Sequence, residues 1–139
     1  MLSDSERSLL LEELARTPHG LAESSTHEAT LTTPACGDTV TVRVTLGPDS
    51  SEMQELTWDG HGCTVSMAAA AAMCALPLTD TPAFRALLVA YTASVNGGAP
   101  LQGDLEPFAG IGRFPLRAQC ATLAWRALGL ALVDVEPAP

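Results

Sequence analysis

Val40-Thr41-Val42-Arg43-Val44-Thr45-Leu46 alternates apolar and polar side chains without a break. A period of two puts Val40, Val42, Val44 and Leu46 on one face of a β-strand and Thr41, Arg43 and Thr45 on the other. The next residues, Gly47-Pro48-Asp49-Ser50, carry turn chemistry, and Met53 to Trp58 reads as a strand returning alongside. Upstream, Ala29 to Thr33 supplies a third segment of the same kind. The expectation is a small antiparallel sheet with one wet face.

Beyond Gly62 the rhythm becomes helical. Cys63 to Leu76 is alanine-rich and stops before Pro77, and a second helix is expected from Pro82 to about Val95, closed by Asn96-Gly97-Gly98. Ala99 to Gly112 is broken by glycine and proline without a clear period, so it reads as loop with room for one short turn. A last helix starts at Pro115, a good first-turn residue, and runs to about Leu132. At the other end, Ser3 to Arg16 has Leu9, Leu10 and Leu14 at helical spacing, with Ser3 as cap and Glu6 three residues on. Thr17-Pro18-His19-Gly20 ends that helix. Helix, three strands, then helices describe an α+β fold: a small three-stranded antiparallel sheet packed against helices. One domain over 1–139 is expected, with loose ends at about 1–8 and 133–139.

The chain has 139 residues, 47% of them apolar, enough for a core without disulfide staples. Its start lacks a basic segment followed by an apolar run, and the Leu/Ala-rich stretch from Leu123 to Val133 is broken by Arg126 and Gly129. A cytoplasmic protein without membrane contact is expected, with reduced thiols that serve as ligands or reactive groups. Sixteen acidic residues against seven arginines, and no lysine, give a net charge of −9. That surface repels phosphate backbones, so nucleic acid is not an expected partner. It suits docking to a basic protein patch, although solubility alone explains it as well.

Three cysteines in dissimilar settings carry the chemistry. Cys36 lies in a loop between two strands, after Pro34 and before Gly37, with Asp38 two residues on. Cys63 opens a helix after Gly62; a helix N-terminus favours thiolate. Cys120 sits about one turn into the last helix, on the stripe of Leu116 and Leu123. Three thiolates and a carboxylate are a donor set that tetrahedral zinc accepts. No paired C-x-x-C spacing supports this, and free cysteine is among the most buried residue types, so packing and metal or thiol chemistry both stay open. Cys74, three turns from Cys63 and about 16 Å along the helix, is out of reach of a shared ion and reads as core. His61, between two glycines, is either a proton shuttle, a substitute ligand or an idle loop histidine. Arg117, three residues before Cys120, is either solvated or paired with Asp38 or a partner's acid. His19 and His27 are given no role.

At these residues the chain resembles the SufU branch of the IscU-like iron–sulfur assembly proteins. The matching strings are Pro34 to Asp38, Trp58 to Ala68, and Phe114 to Trp125, in the family's order, with similarity from about Leu9 to Leu130. Gln119 stands where IscU scaffolds have histidine, the chaperone-read string of IscU is absent at Phe114-Pro115-Leu116-Arg117, and Asn96 to Gly112 lies where SufU proteins carry an insertion. The resemblance implies zinc held by Cys36, Asp38, Cys63 and Cys120, Cys36 as sulfur acceptor, and Arg117 used with a cysteine desulfurase of the SufS type. Suf scaffold proteins are further candidate partners. The implied function is a zinc-dependent sulfurtransferase, with Cys36 the ligand best placed to be freed for attack. The alternative is a scaffold for a transient [2Fe–2S] cluster on the same four residues, and a structural zinc domain is a third reading.

Overall fold

A computed structural model describes residues 2–135. Strands β1 (His27–Thr32), β2 (Thr39–Leu46) and β3 (Met53–His61) form one antiparallel sheet in that spatial order, as the alternation predicts. Val40, Val42, Val44 and Leu46 are all buried, and Val42 stands between Ala29 of β1 and Trp58 of β3. The other face is wet: Thr30 and Thr41 pair at 2.7 Å, Thr32 and Thr39 at 3.0 Å, and Arg43 meets Glu28 at 3.2 Å. β3 runs three residues past the expected Trp58. Gly60 permits this, because a Cβ there would sit 2.3 Å from the Thr39 carbonyl oxygen on β2.

Helix α1 (Asp4–Ala15) begins with the expected capping box between Ser3 and Glu6. Residues 4–8, expected to be loose, are therefore its first turns. Its buried residue is Leu11, whereas Leu9 is 63% exposed; two residues apart on a helix are about 200° apart, so the two cannot share a face. Helix α2 (Thr64–Ala75) is buried continuously from Ser66 to Met73 because α1, β3 and the last helix surround it. Its alanines let those neighbours approach closely.

Helices α3 (Thr81–Val95) and α4 (Pro115–Ala131) are joined by aromatic packing. Tyr91 stacks on Trp125 with centroids 4.2 Å apart and donates its hydroxyl to the Ala121 carbonyl at 2.7 Å. Such a stacked pair is worth about 0.5–1.5 kcal/mol beyond its burial. Ala99 to Gly112 departs from the loop expectation: two 3-10 helices, Gly103–Phe108 and Ile111–Arg113, bury Leu105, Phe108 and Ile111. Val133 to Val135, expected to be loose, is held by Arg85, which donates to the carbonyls of Leu132 and Val135 at 2.7 and 2.6 Å. The remainder of the expected tail, 136–139, lies outside the described residues. No helix among the described residues is long and apolar enough to cross a membrane.

Candidate metal centre

Thr39 pairs with Thr32 on one side and His61 on the other, so the β1–β2 loop and the β3–α2 junction meet at one end of the sheet. The loop closes on Thr33, which is buried. The Thr33 N–H donates to the Asp38 carbonyl at 2.8 Å, its carbonyl accepts from Gly37 N–H at 2.8 Å, and its hydroxyl accepts from Asp38 N–H at 3.1 Å. Gly37, at φ +71°, supplies the left-handed backbone that this closure needs. Asp38 is thereby turned inward and only 3% exposed, while Cys36 near the loop tip is exposed.

At the junction, Gly62 has φ +154°, and a Cβ there would lie 2.5 Å from Asp38 Cγ. The backbone thus passes directly against the carboxylate. Cys63 caps α2, its Sγ accepting from the Ser66 N–H at 3.5 Å. Cys120 enters from α4, buried, with its Sγ donating to Asp38 Oδ2 at 3.4 Å. One carboxylate oxygen of Asp38 and the sulfurs of Cys63 and Cys120 all lie within 4.8 Å of one another. Residues 25 to 82 positions apart in sequence have converged; Cys36 is not part of that group.

Ser66 went unassigned in the sequence. It is fully buried, and its hydroxyl donates to Asp38 Oδ2 at 2.6 Å while lying 3.6 Å from Cys63 Sγ. A hydroxyl at the third helical position, opening a buried run of methionine and alanine, was the available signal. Burial by itself raises the Asp38 carboxyl, but hydrogen bonds from Ser66, from the side chain and backbone of Cys63, and from Cys120 outweigh it and hold the group below its ordinary value. Burial, followed by the neighbouring Cys63, pushes the Cys120 thiol up to about 12. A cation is the agent that displaces a proton from such a thiol.

Arg117 is exposed in the first turn of α4, its guanidinium carbon 4.9 Å from the Phe114 ring centroid, with Arg113 at 5.1 Å from the same centroid. It forms no ion pair among the described residues, and Asp38 is engaged by Ser66 and Cys120 instead. Leu116, placed on the Cys120 stripe, is 55% exposed, since the first turn of α4 projects beyond the core. His61 is exposed at the end of β3, outside the group. His19, given no role, stacks on Trp58 at 4.0 Å and meets Asp59 at 2.8 Å, beside a Gly20–Trp58 bridge on the outer edge of β3. Cys74 also lies outside the group, and burial pushes its thiol up to about 12.

The donors fit zinc. Bond lengths near 2.3 Å to sulfur and 2.1 Å to oxygen set neighbouring tetrahedral donors roughly 3.5–3.8 Å apart. The 3.4 Å between Cys120 Sγ and Asp38 Oδ2 is already close to that spacing. Two clefts, of about 310 and 480 Å³, lie against α1 and residues 97–110 and share no residue with the group. The group reaches the surface through Cys63, which is exposed beside buried Asp38 and Cys120.

Residues 15–92 match the model of the NifU-like N terminal domain family. The zinc-dependent sulfurtransferase SufU of Bacillus subtilis (strain 168) is 31% identical over 108 residues, covering 74% of this chain and 72% of that protein. The iron–sulfur cluster assembly scaffold protein IscU of Streptococcus pyogenes serotype M1 is 32% identical over 124 residues, covering 85% of this chain and 77% of that protein. In fold, the chain is similar to the crystal structure of the N-terminal part of a nitrogen-fixing NifU-like protein from Brucella abortus. The TM-score is 0.80 at 19% identity, with 91% of each chain covered.

Proposed function

This chain is a SufU-like member of the IscU/NifU N-terminal-domain family of iron–sulfur cluster assembly proteins, and from that premise we propose that it acts as a zinc-dependent sulfurtransferase accepting sulfur from a SufS-type cysteine desulfurase. Asp38, Cys63 and Cys120 are the residues that hold the ion, with Cys36 the remaining donor within the same loop as Asp38. Zinc, when bound, keeps sulfur donors as thiolates without redox chemistry of its own.

The observation that carries this reading is the split among the four residues: three donors converge, and Cys36 stays exposed near the tip of a loop anchored elsewhere by Thr33. Cys36 is the acceptor. Its thiolate attacks the outer sulfur of the desulfurase persulfide; a new S–S bond forms on Cys36 as the old one breaks. The desulfurase cysteine leaves as thiolate, so no net oxidation occurs. Asp38 does not depend on the position of Cys36, because its own backbone is bonded to Thr33 at both N–H and carbonyl. Arg117, exposed on the Phe114 ring, is the contact offered to the desulfurase.

The test is desulfurase turnover in the presence of the parent protein and of Cys36→Ala. The expected result is loss of stimulation and of persulfide on this chain. Stimulation that survives the substitution overturns the acceptor role.

A transient [2Fe–2S] scaffold is the second reading, supported by a carboxylate among the donors and by the similarity to a scaffold protein. Metal analysis and the visible spectrum of anaerobically purified protein separate the two: colourless zinc on one reading, brown iron with sulfide on the other.

A further inference from the structure

We propose that Ser66 is a positioning residue of the metal centre, holding the Asp38 carboxylate in the orientation an ion requires; this rests on the metal-binding reading above. Ser66 opens the buried run that ends at Met73, and apart from it that run is methionine and alanine. Alanine is the better helix former, so a hydroxyl here is not explained by the helix itself. Its partner is outside the helix and 28 positions earlier: the hydroxyl donates to Asp38 Oδ2 at 2.6 Å. That is the length of a charge-assisted O–H···O⁻ bond, the stronger class.

Two arguments make the contact more than packing. Asp38 is nearly inaccessible to water, so an oxygen not bound to an ion must find its partner within the protein. The thiols of Cys63 and Cys120 stop donating once their sulfurs serve as ligands, whereas the serine hydroxyl continues to. The same residue also touches a second donor by a different group, its backbone N–H reaching Cys63 Sγ at 3.5 Å. Ser66→Ala therefore removes the carboxylate contact and the longer 3.6 Å approach of the hydroxyl to Cys63 Sγ, and leaves the backbone N–H contact to that sulfur in place. Removing an outer partner of a metal ligand typically lowers metal affinity about 10–100-fold.

The experiment is a zinc-affinity cycle by chelator competition on the parent, Ser66→Ala, Asp38→Ala and the double variant, with cobalt(II) spectra of each. Ser66→Ala is expected to weaken zinc about 10–100-fold when Asp38 is present and by less than about threefold in Asp38→Ala, as an effect acting chiefly through the Asp38 carboxylate must. In cobalt-loaded Ser66→Ala, the thiolate charge-transfer bands persist while the visible ligand-field bands shift. Equal losses in both backgrounds, or no loss in either, overturn the role of Ser66 while zinc binding by the parent stands. A parent protein that binds no zinc overturns the metal reading and this proposal together. Should Ser66→Ala fail to fold because it strands a buried carboxylate, the double variant, which strands none, is expected to fold. If the double variant fails as well, Ser66 serves packing and the proposal falls.

Discussion

Replacing Gly62 by alanine tests the closest contact in the site. The substitution asks an L-residue to adopt φ +154°, and it places a methyl 2.5 Å from Asp38 Cγ and 2.7 Å from Asp38 Cβ and Oδ1. Strain of that backbone class costs on the order of 1–3 kcal/mol. Overpacking adds roughly 1–3 kcal/mol more. The clash is not cheaply relieved, because the obstructing atoms belong to a short side chain whose backbone is bonded to Thr33 and whose carboxylate is bonded to Ser66. At about 3–5 °C per kcal/mol for a chain of this size, the melting midpoint should fall by at least ~6 °C. Zinc affinity should fall at least tenfold, because the carboxylate is what must move. Gly37→Ala is the internal control: it has φ +71° but no heavy atom within 4 Å of the added Cβ. It should show backbone strain alone, about 1–2 kcal/mol. Thermal unfolding of the metal-free proteins and chelator competition read both effects. A Gly62→Ala protein that melts within ~2 °C of the parent with unchanged zinc affinity refutes the close-approach argument, as does a Gly37→Ala protein that is equally impaired.

Zinc affinity should rise with pH. Burial and Cys63 push the Cys120 thiol up to about 12, so the ion must displace that proton near neutrality, and affinity falls as pH is lowered, by about tenfold per unit for each proton released. Calorimetry in buffers of different ionisation enthalpy counts those protons, and a count of zero contradicts the arrangement. Cys74 should resist alkylation in the native protein while Cys36 reacts readily, because burial pushes the Cys74 thiol up to about 12 and Cys36 is exposed. The raised value also sets a sign: the Cys74 contribution to stability is complete below the unfolded thiol value of about 8.5 and is lost as pH rises towards the folded one. Mass spectrometry after a timed pulse of iodoacetamide separates the two cysteines, and equal labelling contradicts the burial.

The sheet was legible because one-sided burial forces alternation: Val40, Val42, Val44 and Leu46 could not be shifted by one residue without exposing all four. The helices on either side declared themselves by caps and breakers, Ser3 with Glu6 at one end of the chain and Pro77 and Pro115 elsewhere. The segment from Ala99 to Gly112 was missed for a specific reason. Its buried Leu105, Phe108 and Ile111 recur every third residue, the period of a 3-10 helix, and a reading tuned to periods of two and 3.6 passes over it. Leu9 misled because α1 turns a narrow stripe inward, and Leu11 occupies it. In the site, Asp38 and Cys63 could be named from residue type and glycine neighbours and Cys120 from its place one turn into the last helix, but their convergence across 82 positions depends on α4 crossing β1 and β2. Ser66 could not be found by searching for metal ligands, since it acts on a ligand without being one.

The four prospective donors are held in two different ways. Asp38 and Cys120 are buried, Cys63 is exposed at a helix cap, and Cys36 is exposed in a loop whose hydrogen bonds converge on Thr33. Burial, followed by the neighbouring Cys63, keeps the proton on the Cys120 thiol in the absence of a cation. A dication favours the thiolate, so binding and deprotonation proceed together. Cys36 stands apart from the crowded group, exposed in the loop that Thr33 closes. The arrangement thus has an inner part fixed by Thr33, Ser66 and Gly62, and an outer thiol that the loop leaves exposed.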